Sequence, residues 1–208
     1  MVKRMSRYFI RNKQAIMGLT LSQIGLIIAS AILLSAVISL VFANDWQRKA
    51  ELENIATSFS TMVEAMDARF FENTTSFSFT EKSYHYTVSI STEYVTVSSD
   101  GNKDNTVSIK ERFLVKPWPQ DKSFIWVGGY NLHEYLNTTF GNTGYLSDPI
   151  QDVDNVKNYL DTEFESAKSS LALNPLNIVT TKTVYLDKTC IYYEGDEKQD
   201  FIFLYQKN

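Results

Sequence analysis

Residues 19–43 read LTLSQIGLIIASAILLSAVISLVFA, a run of 25 residues without a charge. A bilayer's hydrocarbon core of ~30 Å takes ~17–25 apolar helical residues to cross, so this stretch is expected to be a transmembrane helix. Lys3, Arg4, Arg7, Arg11 and Lys13 lie just upstream with no acidic residue among them. By the positive-inside bias those cations stay cytoplasmic, which puts the chain after Ala43 on the extracytoplasmic side of the cell membrane. Trp46, followed by Gln47, Arg48 and Lys49, suits the second interface, where an indole sits at headgroup level and long cations snorkel. The competing reading is a secretory signal cut after Val41-Phe42-Ala43. The apolar run is much longer than the ~7–15 residues of a usual signal core, which favours retention.

Beyond Asn44 the pattern turns amphipathic. Leu52, Ile55, Ala56, Phe59, Met62, Val63, Met66 and Phe70 follow the i, i+3, i+4, i+7 spacing of one helix face, and no Pro or Gly interrupts them. A helical extension over 44–72 follows, with an apolar stripe that needs a partner surface. From Ser83 the period falls to two. Tyr84, Tyr86, Val88 and Ile90 alternate with polar residues, 94–97 continues the strand character, and Val107, Ile109 and 113–115 follow a polar loop at 100–105, which reads as an antiparallel hairpin or meander. Pro117-Trp118-Pro119 ends that run, and 124–127 reads as a short strand before Gly128-Gly129.

Two helices are then expected. Asn131 with Glu134 forms a capping box for a short helix to about Thr139, and Asp148-Pro149 supplies an N-cap and first-turn proline for a longer one. Val153, Val156, Leu160, Phe164, Ala167 and Leu171 make a face of the second, which should end before Asn174-Pro175. The tail returns to strands over 178–186, 190–193 and 201–205. The fold class is therefore α+β: a long N-terminal transmembrane and amphipathic helix, then a mainly antiparallel β head with one or two helices. The divisions fall at a basic leader (1–18), the membrane helix (19–43), the extension (44–72) and the head (73–208).

Composition agrees with a folded head, with 44% hydrophobic and 21% charged residues. Five of the 20 Lys+Arg sit in the leader, so the 24 Asp+Glu leave the remainder acidic and poorly suited to nucleic acid. The single cysteine, Cys190, excludes an internal disulfide and a cysteine-based zinc site.

The junction Gly18-Leu19-Thr20-Leu21-Ser22-Gln23, behind a basic leader and ahead of a long apolar helix, resembles the class III signal peptide of type IV pilin-like membrane proteins, bacterial or archaeal. The resemblance covers residues 1–72. It implies that a membrane peptidase cuts on the cytoplasmic side, leaving the apolar helix on the mature protein. Gly18 would precede the cut and Leu19 would become the new N-terminus. Gln23 would hold the fifth position, usually Glu in bacterial pilins, and Met17 stands where a basic residue commonly precedes the Gly. Lys13-Gln14-Ala15-Ile16 is a second candidate, nearer the archaeal pattern, with Ala15 before the cut and Ile16 after it. Independently of the motif, Gly18, Ser22, Gly25, Ala29, Ala36, Ser39 and Ala43 form a heptad-like stripe of small residues, broken only by Ile32, which lets helices approach closely in lipid.

Chemistry-bearing constellations are sparse. The segment 100–111 follows calcium-loop spacing, with oxygens available at Asp100, Asn102, Asp104, the Thr106 carbonyl, Ser108 and Glu111. Asn105 replaces the turn glycine and the flanks read as strands, so a hairpin loop is the simpler reading. Asp148, Asp152 and Asp154 suit a first helical turn without a cation. His85 and His133 lack partners at ligand spacing, and Cys190 in its β-like run reads as a buried inert thiol. Asn73 and Asn137 head N-glycosylation sequons. No phosphate-binding, dinucleotide or nucleophile motif occurs, and the expectation is a non-enzyme without a cofactor. The expected partners are membrane lipid and copies of the chain or other pilin-like subunits. The alternatives are a single-pass protein with a non-polymerising extracytoplasmic binding or accessory domain, and an anchored enzyme.

Overall fold

In the computed structural model, residues 2–99, 106–120 and 126–207 are described. The elements in chain order are α1 (Val2–Asp67), β1 (Asn73–Phe77), β2 (Tyr86–Ile90), β3 (Tyr94–Ser99), β4 (Val107–Arg112) and β5 (Trp118–Pro119). Then come α2 (Gly129–Phe140), α3 (Val153–Leu173), β6 (Leu176–Ile178), β7 (Val184–Tyr192) and β8 (Lys198–Gln206). The chain divides into two units, the first ending at Arg48 and the second running from Lys49.

In the first unit, Ser22–Ser39 of α1 is long and apolar enough to cross a membrane, and none of it is buried. In the second, the part of α1 from Lys49 supplies core. Leu52, Ala56, Phe59 and Val63 are wholly buried, with Ile55 and Met66 beside them, and they share one cluster with inward residues of both sheets. The partner surface that the amphipathic stripe requires is thus the head itself.

One sheet has the order β4-β3-β2-β6, all antiparallel. The other has the order β1-β7-β8-β5, antiparallel except for the parallel β5–β8 pair. Pro119 therefore lies on an edge strand, where a missing N–H costs no ladder bond. The alternation of β7 and β8 divides the second sheet's faces. Val184, Leu186, Ile202 and Leu204 meet α1 and the first sheet. Ile191, Phe201 and Phe203 meet α2, α3 and the indoles of Trp118 and Trp126 in a second core. Phe59 joins the layers on the α1 side, 5.2 Å from Phe77 at the end of β1 and 6.2 Å from Phe113 after β4, ring centre to ring centre.

Several boundaries differ from the sequence reading. α1 stops at Asp67, not Glu72, and Phe70 is 83% exposed rather than part of the stripe. The short helix begins at Gly129 behind an N-cap at Gly128, so Asn131 and Glu134 lie inside it and do not cap it. A Cβ at Gly129 would fall 1.9 Å from the Thr189 hydroxyl, so only glycine lets this turn approach β7. Asp148 does not cap the longer helix, which starts at Val153 behind Asp152. Its carboxylate instead accepts from the Thr143 N–H at 2.7 Å, the Thr143 hydroxyl at 2.8 Å and the Asn142 amide at 3.0 Å, closing a turn four residues early. Trp126 and Val127 are not in a strand, 113–115 fall after β4, and the expected strand 178–186 is broken between β6 and β7, the latter running on through 187–189 to Tyr192.

Truncating Phe59 to Ala removes the ring that bridges the two sheets. Urea unfolding of the full chain in detergent micelles is expected to show a loss of about 3–5 kcal/mol, and a loss under ~1 kcal/mol would contradict the packing.

Candidate functional site

The polar chemistry of the head gathers where α1 ends against β7. Asp187 and Lys188 are neighbours on β7 and face opposite sides of the sheet. On the α2 side, Asp187 accepts from the Gly129 N–H at 2.7 Å and the Thr74 hydroxyl at 2.8 Å, so a carboxylate caps the N-terminus of α2. On the α1 side, Lys188 is 1% exposed and donates to the carbonyls of Asp67 and Arg69, each at 2.6 Å. These carbonyls end α1, where the macrodipole favours a cation. The ammonium also pairs with Asp200 on β8 at 2.9 Å. Three acceptors offset the cost of burying the charge.

Lys198 extends the cluster, pairing with Asp200 at 3.0 Å and donating to the Phe70 carbonyl at 3.2 Å. Burial raises the Asp200 pKa, but hydrogen bonds from Lys188 and Lys198 outweigh it and hold the carboxyl below its usual range. Cys190 is fully buried, and burial, with Asp200 beside it, pushes its thiol up to about 11. It is therefore thiol rather than thiolate at neutral pH, matching the inert role read from its apolar context.

His133 is 3% exposed on α2. Its Nδ1 lies 2.7 Å from the Thr143 carbonyl oxygen and its Nε2 3.1 Å from Glu72 Oε1, which also accepts from the Cys190 N–H at 3.2 Å. Its ring stacks on Tyr145 at 3.8 Å. The sequence reading placed His133 on a short helix but could not find these partners, which come from the α1–β1 connector and the loop after α2. Beside them Phe71, Tyr145, Leu146 and Tyr192 line an open hollow. Phe71 and Leu146 there are 79% and 73% exposed.

A cleft of about 510 Å³ opens at the start of α2. Tyr130, Leu176, Val179, Tyr205 and Lys207 contribute to its walls. Its size and mixed lining fall within the range of small-molecule sites. It unites segments far apart in the chain, and no local motif marks it.

Of the sequence-selected residues, Ser22, Gln23, Gly25, Ala29 and Ala36 lie exposed on α1, and nothing lies within 4 Å of a Cβ built on Gly25. Gly18, Leu19, Ala15 and Ile16 lie on the helical backbone of α1. Asp100, Asn102 and Asp104 fall outside the described residues. Glu111 sits in β4 opposite Val95, and the loop's flanks are the paired strands β3 and β4. Among the described residues no group of three His, Cys, Asp or Glu side chains could hold a metal ion. Asn73 and Asn137 are both exposed, on the edge strand β1 and on α2. His85 is exposed ahead of β2, and Tyr86 donates to the Thr80 carbonyl as a core residue. Comparison with protein-family models, with curated proteins and with solved structures finds no match.

The depressed Asp200 pKa has a direct consequence. Such a carboxylate contributes stability that is complete above the unfolded value near ~3.9 and is lost as pH falls through the folded value. In urea titrations of the full chain, Asp200→Asn is expected to flatten the acid limb below about pH 4. Equal acid limbs in variant and wild type would contradict the assignment.

Proposed function

We propose that the chain is a pilin-like, membrane-anchored surface subunit, with a cytoplasmic leader removed by a prepilin-type peptidase and an extracytoplasmic head that is not an enzyme. The observation that carries this reading is the division of labour along α1. Ser22–Ser39 is apolar and uncovered, whereas the stripe from Leu52 to Met66 is built into the head's core. The uncovered segment leaves an apolar, small-residue face for lipid and for neighbouring helices. The exposed Ser22, Gly25, Ala29 and Ala36 supply that face, which supports packing with copies of the chain in a filament. The non-enzymatic part of the proposal rests on His133, Cys190 and Lys188, whose reactive atoms are occupied by structural bonds or held protonated by burial.

The second reading, an anchored binding or accessory domain that never polymerises, is favoured by the 510 Å³ cleft, which a purely structural subunit does not require. Processing separates the two. The test is the N-terminal sequence and intact mass of native protein taken from membranes and from sheared surface material. The expected result is a new N-terminus at Leu19 or Ile16 in both fractions. Protein that keeps its basic leader and occurs only in membranes would overturn the filament reading and leave the anchored domain.

A further inference from the structure

Phe70 and Phe71 are neighbours in the α1–β1 connector, and both rings are left to water although the backbone beneath them is held. Lys188 donates to the Asp67 and Arg69 carbonyls and Lys198 to the Phe70 carbonyl, while the Glu72 carboxylate accepts from the Cys190 N–H. Two bare rings on a fixed backbone make a patch that wants a cover. Phe71 also borders the open hollow of about 550 Å³, with Tyr145, Leu146, Ser147 and Tyr192. That volume lies within the roughly 300–1,000 Å³ of small-ligand sites. Its lining joins ring faces to hydroxyl and carboxylate oxygens, which suits a molecule with apolar faces and a hydroxylated edge.

The chain supplies an attachment point for such a molecule two residues further on. Asn73-Thr74-Thr75 is an N-glycosylation acceptor, and its exposed asparagine opens the edge strand β1. Residues two apart on a strand share a face, so Asn73 and Thr75 present amide and hydroxyl together, whereas Thr74 between them turns to Asp187 on the other side. A transferring enzyme must engage that amide and that hydroxyl at once. Asn137-Thr138-Thr139 lies inside α2, where residues two apart do not face each other. There the Asn137 carbonyl accepts from the Gly141 N–H, and the Thr138 hydroxyl donates to the Glu134 carbonyl, so the helix holds its own sequon closed. Two residues of extended chain span at most ~7 Å, which puts the Phe71 ring within reach of a first sugar on Asn73.

We infer that Asn73, and not Asn137, carries an N-linked saccharide whose first ring covers Phe71. The inference rests on the extracytoplasmic placement of the head, where a membrane-bound transferase meets its acceptor. The donor class is a saccharide joined through its anomeric carbon to a polyprenyl phosphate. A bond forms from Asn73 Nδ2 to that carbon, the bond from the carbon to the phosphate oxygen breaks, and the lipid phosphate leaves with its electron pair. The amide gives up one N–H proton to a base of the transferase. The attached ring offers C–H groups to the negative face of Phe71 and hydroxyls to Glu72 and Ser147.

The test is mass spectrometry of peptides from the native full-length protein, purified from its own membranes, with protease shaving of intact cells run in parallel. The expected result is a saccharide mass on the Asn73 peptide, a bare Asn137 peptide, and loss of that mass in Thr75→Val, whose branched side chain suits the strand. In proton spectra of the glycoprotein in micelles, sugar C–H signals are expected upfield under the Phe71 ring current. Phe71→Ala should keep the saccharide and return those signals to their ordinary positions. A bare Asn73 on a head that shaving releases would overturn the inference and leave the extracytoplasmic placement standing. A bare Asn73 on a head digested only after lysis would overturn both. A saccharide on Asn137 alone, or sugar signals indifferent to Phe71→Ala, would contradict the inference equally.

Discussion

Adjacent opposite charges on one strand organise this head. Asp187 and Lys188 occupy the middle of β7, and the pleat sends them to opposite faces of the sheet. On one face the carboxylate meets the N-terminus of α2, and on the other the ammonium meets the C-terminus of α1. Each charge has the sign that its helix end favours. Were the two exchanged, both helix ends would meet like charge. A single dipeptide thus sets where two helices dock on opposite sides of the same sheet. Asp200 and Lys198 complete the α1 side by neutralising Lys188 and holding the chain as it leaves the helix.

That device explains both what was legible in the sequence and what was not. The stripe from Leu52 to Met66 was readable because a helix face repeats locally, and its residues are in the core. The hairpin of β2, β3 and β4 was readable for the same reason at period two. The interior of β7 was not. Asp187 and Lys188 look like a break between two strands, since a lysine is seldom buried without partners, and two of the three partners of Lys188 lie more than a hundred residues away. The end of α1 was misjudged because Phe70 continues the spacing, whereas the bonds from Lys188 terminate the helix before it. Asp148-Pro149 has the chemistry of a helix start, but the carboxylate's bonds to Thr143 and Asn142 compete with capping. The buried bridge through His133 and the cleft beside α2 are tertiary products, and neither has a local signature.

The same helix joins two kinds of sequence. Ser22–Ser39 is apolar and uncovered among the described residues, while the later turns carry the centre of the larger core.

The most direct test of the account is native-state hydrogen exchange on the full chain, wild type against Lys188→Met. Leaving the carbonyls of Asp67 and Arg69 without their buried donor, and Asp200 with one partner fewer, is predicted to strip protection from the last turns of α1. Global stability should fall with it by about 3–5 kcal/mol. Unchanged protection at Val63–Asp67 and unchanged stability would contradict the claim that the charge on β7 fixes the end of α1.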